Sequence, residues 1–180
     1  NWLPANGANV YENSKVVDVY AEAGRIVLAS GATLQADRIV VAAGAWVLKL
    51  FPELDGELKT YRTALAYVEP PADLEAAWRA APVVLDIGGA VDGYVIPPSG
   101  GAGMKFGSGL HRVPTSDADW NRQPVAGEGE AIRNLFSPPI ARIGEYRVTE
   151  VVTCAYTFTA DEKFMTHEKG KCLIVSACSG

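Results

Sequence analysis

Lys105 sits in a run made almost wholly of small residues, with five glycines within 99–109. A fixed cation beside unhindered backbone N–H groups could cradle an anion. The phosphate-loop form of that idea fails, because Lys105 is followed by Phe106 and Gly107 and not by a Ser or Thr that opens a helix. The spacing Gly101-x-Gly103-x-x-x-Gly107 also misses the dinucleotide pattern GxGxxG by one residue. Pattern alone supports a flexible β-turn with a solvated lysine. His111 and His167 are the only histidines, and their spacing points to no metal site, so each reads as a surface or hydrogen-bonded residue. Cys154, Cys172 and Cys178 are odd in number and form no CxxC pair, which argues against a disulfide scaffold and against zinc. Cys154 reads as a small buried strand residue. Tyr156 lies two residues on and shares its face, because strand side chains repeat every second residue.

These residues need a scaffold, and the punctuation of the chain outlines one. Val16 to Tyr20, Arg25 to Ala29 and Ala36 to Ala43 read as strands separated by turns at 22–24 and 30–31. The stretch Arg38-Ile39-Val40-Val41-Ala42-Ala43 runs apolar without alternation, as expected of a strand covered on both faces. A short helical turn is expected over 45–50, a strand over 60–69, and a helix over 72–81 closed by Pro82. Strands are expected at 83–87, 93–96 and 104–107, a helix over 128–136, and strands over 146–158 and 171–177. The order suggests an α+β core rich in antiparallel strands, flanked by two buried runs that belong to a different sheet.

Composition excludes several classes. Hydrophobic residues at 48% and charged residues at 21% describe a folded globular chain and not a disordered one. No apolar run approaches the roughly 18 to 20 residues of a membrane-spanning helix, so no membrane partner is expected. Sixteen basic against twenty-one acidic side chains give a net charge of -5, and no Lys/Arg cluster offsets it, so nucleic acid is not an expected partner. The cysteine usage and the absence of a leader at the start make the cytoplasm the expected compartment. The chain opens on Asn1-Trp2-Leu3-Pro4 and stops at Cys178-Ser179-Gly180, and it reads as a piece of a longer protein.

Taken in order, several segments carry a resemblance: Ala36-Asp37-Arg38-Ile39-Val40-Val41-Ala42-Ala43-Gly44-Ala45-Trp46, Tyr61-Arg62, Gly103-Met104-Lys105-Phe106-Gly107, Cys154-Ala155-Tyr156-Thr157-Phe158-Thr159-Ala160-Asp161-Glu162-Lys163-Phe164, and 173–180. Together they resemble the later half of the FAD-dependent amine oxidases of the D-amino acid oxidase superfamily, of the monomeric sarcosine oxidase, N-methyltryptophan oxidase and glycine oxidase type. The resemblance implies an antiparallel-rich substrate-binding domain (51–150) flanked by parts of an incomplete FAD-binding α/β domain, a meander and last buried strand (1–50) and a return strand (151–180). It implies FAD as cofactor, with Gly44, Ala45 and Trp46 as cofactor contacts and Cys154 as the residue that carries a covalent flavin in one branch of the family. Lys105 matches the lysine over the flavin ring, Tyr156 is taken as catalytic because it shares the strand face of Cys154 and so can face the ring with it, and His111 lies near the position of an active-site histidine, about two residues further from the lysine than the family places it.

The implied reaction of the intact protein is oxidation of the C–N bond of an amino acid or N-methyl amino acid, with hydride passing to flavin and oxygen giving hydrogen peroxide. Two alternatives stand beside it: a dehydrogenase of the same fold with another acceptor, and an isolated domain that binds no cofactor. The family's GxGxxG is absent, and its substrate-gripping Arg and second Lys fall before Asn1 and after Gly180. The piece alone is therefore expected to lack flavin and to be inactive. The runs 39–43 and 173–178 are expected to pair within one sheet, leaving edges that take up the missing N-terminal half or a second copy.

Overall fold

The computed structural model describes residues 2–178, so Asn1 and the last two residues of the 173–180 segment, Ser179 and Gly180, lie outside the described residues. Helix α1 (Trp2–Ala5) precedes strands β1 (Val16–Tyr20), β2 (Arg25–Leu28), β3 (Thr33–Gln35) and β4 (Ile39–Val41), and the helical turn α2 (Val47–Leu50). Next come β5 (Lys59–Glu69), α3 (Glu75–Ala80), β6 (Gly93–Ile96), β7 (Met104–Thr115), α4 (Glu128–Leu135) and β8 (Arg147–Phe158). β9 (Met165–Lys169) and β10 (Cys172–Ser176) follow. Among the described residues three sheets, mostly antiparallel, with few and short helices make an α+β fold. The chain divides into two compact units, Lys59–Tyr156 and the segments on either side of it. Among the described residues no helix is long and apolar enough to cross a membrane.

The unit Lys59–Tyr156 is built on one sheet with strand order β6-β7-β5-β8. β5 alternates strictly: Thr60, Arg62, Ala64, Ala66 and Val68 are buried, while Tyr61, Thr63, Leu65 and Tyr67 are half-buried on the other face. The buried row joins Val95, Met104 and Phe106 of the neighbouring strands against Ile132, Phe136 and Tyr146. Phe106 stacks on Phe136 with ring centres 4.5 Å apart and has Tyr146 at 5.9 Å. Trp78 donates its indole N–H to the Tyr146 hydroxyl at 2.8 Å, which satisfies both polar atoms at the edge of an apolar core. α4 carries Glu128 and Glu130 in its first turn and Arg133 in its last, each complementing the helix dipole.

In the other unit β1, β2 and β3 form an antiparallel meander. β4 pairs in parallel with β10 through Ile39 with Cys172, Val40 with Leu173 and Val41 with Ile174, so the two runs expected to meet are neighbours. β9 adds to the far side of β10 in antiparallel sense. Val41 and Ile174 enter a core with Val47, Phe51, Leu54 and Leu58.

Several expectations require correction. Within the described residues nothing covers the second face of the run 39–43: β4 is an edge strand of three residues, as the exposed edges expected there require, and Val40 is 66% exposed because alternation turns it away from the core that Val41 enters. The strand expected at 83–87 shrinks to a single bridge between Val84 and Val95, since Gly88 and Gly89, both at positive φ, turn the chain before a ladder can extend. The strand expected at 104–107 runs on to Thr115. Pro114 is tolerated there because β6 pairs with β7 only between Lys105 and Ser108, leaving β7 without a β6 partner at Pro114. β9 was not expected, because its Thr-His-Glu-Lys content hides a strand whose partners supply the apolar contacts.

Phe106→Ala removes the centre of the larger core and is expected to cost about 3–5 kcal/mol. Urea unfolding of the protein, with the slope unchanged and the midpoint lowered, is the check; a loss below about 1 kcal/mol would show that the ring stack is not the core's centre.

Candidate functional site

The face of the β6-β7-β5-β8 sheet opposite the core collects chemistry-bearing side chains from all four strands. Register decides this. Lys105 pairs with Tyr67 of β5 and with Ile96 of β6, and Gly107 pairs with Leu65 and with Tyr94, so Tyr67, Tyr94, Lys105 and Gly107 share the outer face. On β8, Thr153 turns inward, its hydroxyl bonded to the Arg122 carbonyl, and alternation sends Cys154 and Tyr156 outward. The Cys154 thiol lies in hydrogen-bonding reach of the Tyr156 hydroxyl.

Electrostatics follow from this half-buried setting. Burial, then the field of Cys154 and its hydrogen bond, pushes the Tyr156 hydroxyl up to about 12. Tyr156 is therefore a neutral donor at ordinary pH. Burial also raises Tyr94, with Cys154 and Tyr67 adding to the shift. The Lys105 ammonium stands over the Tyr94 ring, 5.5 Å from its centre. Lys105 is thus a half-buried strand residue and not the solvated turn lysine that its glycines suggest. The turn lies just before it, where Ser99 and Ala102 bridge.

His111 does not join this group. Between the pairs Leu65 with Gly107 and Thr63 with Arg112, β7 advances five residues while β5 advances two, and this bulge inverts the parity of the strand. Arg112 consequently shares the face of Lys105, stacking over Tyr61 at 5.6 Å, and His111 turns to the core side. There its Nε2 donates to Glu128 at 2.8 Å. Glu128 is clamped by Arg62, through Nη1 and through Nη2 at 2.9 Å, and accepts the Val125 N–H at 3.0 Å. Arg62 also donates to the Asn121 carbonyl at 2.8 Å and the Gln123 carbonyl at 3.2 Å. Both side chains of the pair are nearly inaccessible. The Arg62 guanidinium, helped by His111 and Val125 against the opposing effect of burial, holds the Glu128 carboxyl down at about 2.

Gly44, Ala45 and Trp46 belong to the other unit, where they form a helical turn directly after β4. Gly44 has φ +53°, and a Cβ there would meet nothing within 4 Å, so backbone handedness and not crowding calls for glycine. Ala45 is buried in its own unit and can offer only backbone outward. Trp46 is 40% exposed and lines a cavity of about 560 Å³ with Val16, Val19, Ile39, Val41 and Leu50. Cys154, Cys172 and Cys178 are free thiols. Among the described residues no group of three or more His, Cys, Asp or Glu side chains is arranged to hold a metal ion. The sequence reading missed Tyr67 and Tyr94 as members of the outer face and missed the Arg62–Glu128 pair. Strand alternation around Tyr61 and Tyr67 was an available signal for the first; nothing local signals the second.

The Glu128 shift makes a pH expectation with a definite sign. A carboxyl depressed from 4.5 to about 2 on folding contributes stability that is complete above about 4.5 and is lost as pH falls toward about 2. The contribution is on the order of 3 kcal/mol. Urea midpoints of wild type should fall through this acid window, and those of Glu128→Gln, lower at neutral pH because Arg62 is left buried without its anion, should change much less over it. Parallel pH curves for the two proteins would contradict the assignment.

Comparison with known proteins gives a consistent picture. Residues 2–180 match the family model described as FAD dependent oxidoreductase (DAO). No curated protein sequence matches the chain. The fold is similar to that of a fructosyl peptide oxidase, a thermally stable mutant (17% identity, TM-score 0.75, 99% of this chain and 48% of that one). It is also similar to the deglycating enzyme fructosamine oxidase, Amadoriase II, of Aspergillus fumigatus (17% identity, TM-score 0.72, 92% and 43%). A third similar structure is fructosyl amine:oxygen oxidoreductase, Amadoriase I, of Aspergillus fumigatus (18% identity, TM-score 0.69, 90% and 40%). The chain spans less than half the length of these structures.

Proposed function

The chain belongs to the FAD dependent oxidoreductase family, and on that premise we propose that it supplies the substrate-facing wall and part of the cofactor-binding layer of a flavoprotein amine oxidase. The observation that carries the reading is the convergence of Lys105, Cys154 and Tyr156, from different strands, on one half-buried face. That face suits a flat, electron-accepting ring: it combines aromatic and small side chains with the Lys105 ammonium, a neutral phenol donor and a free thiol. FAD, when bound, would accept a hydride from the substrate carbon attached to nitrogen, leaving an imine once the nitrogen gives up its proton, and would pass the two electrons on to oxygen to give hydrogen peroxide.

The chain's own residues divide the remaining tasks. Lys105 contributes a positive charge fixed before the reaction, in a setting less screened than water, and so favours negative charge arising near it during oxygen reduction. Tyr156, held neutral, donates a hydrogen bond that orients substrate. Cys154 is the point at which flavin would be attached covalently. Gly44, Ala45 and Trp46 offer backbone and an indole to the cofactor from the end of β4. His111 is assigned to holding Glu128, away from the reacting atoms. The outer edge of β4, with exposed Val40, is completed by further strands of the same protein, a reading supported by the share of the similar structures that the chain spans. The names of those structures support an amine that carries a fructosyl group as substrate, while a small amino-acid-like amine rests on the sequence resemblance, and one name supports oxygen as acceptor.

In the full-length protein, Lys105→Met should slow flavin reoxidation by oxygen at least a hundredfold, on the scale of losing one charge-stabilising donor, while flavin reduction by an amine substrate changes little. Rapid mixing of the two half-reactions separates them, and equal losses in both would reject the role. Acid precipitation tests the attachment: the pellet should stay yellow in wild type and lose its colour in Cys154→Ala. A colourless wild-type pellet would show that the flavin is not covalently bound.

A further inference from the structure

The sequence offers no reason for a glycine at 107, in the interior of a long strand, where it weakens pairing and packs nothing. The structure gives one. A Cβ built on Gly107 would lie 2.4 Å from Cζ, 2.5 Å from Oη and 2.7 Å from Cε1 of Tyr94. The hydroxyl end of the tyrosine ring therefore occupies the space that a side chain at 107 would take, at the residue paired with it. Lys105 is two residues away on the same face, and its ammonium is 5.5 Å from the ring centre, within the roughly 6 Å over which a ring face attracts a cation. Tyr67, directly opposite Lys105, lies instead against Gly103, with its Cδ1 3.6 Å from where a Cβ would be.

We propose that Tyr94, seated on Gly107, is a positioning residue whose ring holds the Lys105 ammonium in place on the outer face of the sheet. A four-carbon side chain on a strand has many rotamers open to it, and an unheld ammonium would swing into water and lose its charge-stabilising effect. The ring acts as a floor for that charge, and the missing Cβ at 107 lets the floor lie low enough. The assignment of a task to Lys105 rests on the proposed function; the seat itself does not.

The test uses the full-length protein with Tyr94→Leu, Tyr94→Phe and Lys105→Met. The first readout is the NMR shift of the Lys105 ε-methylene protons, which the Tyr94 ring moves upfield. The shift is expected to persist in Tyr94→Phe, which keeps a ring, and to vanish in Tyr94→Leu. Tyr94→Met, apolar and ringless, carries the same reading should the leucine variant not fold. The second readout is flavin reoxidation by oxygen: Tyr94→Leu is expected to slow it about three- to thirtyfold, matching the strength of a cation–π contact, and Tyr94→Phe to restore it. In the Lys105→Met background Tyr94→Leu should have no further effect, since the two changes remove one interaction. An ε-methylene shift unchanged in Tyr94→Leu, or additive losses in the cycle, would overturn the proposal. A shift lost in Tyr94→Leu while Lys105→Met leaves oxygen reduction intact would uphold the seat and refute the role given to Lys105.

Discussion

The period-two alternation of β5, locked in register with β7, is the constraint on which this molecule turns. A strand has only two faces, and a slip by one residue would exchange them. With Ala64, Ala66 and Val68 committed to the core, Leu65 and Tyr67 must face outward. The register then fixes that Lys105 and Gly107 do so as well, and pairing with β6 adds Tyr94. The bulge in β7 interrupts this logic, and it sends His111 inward and Arg112 outward. A single extra set of residues in one strand thus decides which basic side chains face the candidate site and which serve the core.

The Arg62–Glu128 pair is what holds that register at the bulged end. Removing two charges from water is expensive, and such a pair survives only when nearly every donor and acceptor is used. Here Arg62 reaches Glu128 and the carbonyls of Asn121 and Gln123, while Glu128 also takes His111 and the Val125 N–H. The pair ties β5, β7, the first turn of α4 and the 121–125 segment to one point. An apolar replacement could match its stability but would not specify which residues of β5, β7 and α4 belong together. The aromatic stack of Phe106, Phe136 and Tyr146 supplies the larger share of burial.

Much of this organisation was legible before any coordinates. Turn residues located β1, β2, β5, β6, α4, β8 and β10 closely, because Gly and Pro punctuate a chain by excluding particular backbone angles. The shared face of Cys154 and Tyr156 followed from their spacing alone. The convergence of Lys105 with them did not, since register between strands 50 residues apart is set by the whole core and leaves no local trace. For the same reason the ion pair between positions 62 and 128 was invisible. Lys105 looked like a turn residue because its glycines were read as flexibility; Gly107 is instead a seat cut for Tyr94. The run 39–43 looked buried on both faces because composition reports apolarity and not what covers it, and Val40 is open.

The central claim is that the outer face of this sheet is the surface turned toward the cofactor ring. A crystal structure of the full-length protein with FAD bound tests it most directly. The account requires the ring to lie against this face, with the Lys105 ammonium and the Tyr156 hydroxyl as its near neighbours and His111 behind the sheet. A ring bound elsewhere, with Lys105 and Tyr156 facing solvent or packed against unrelated protein, would contradict it.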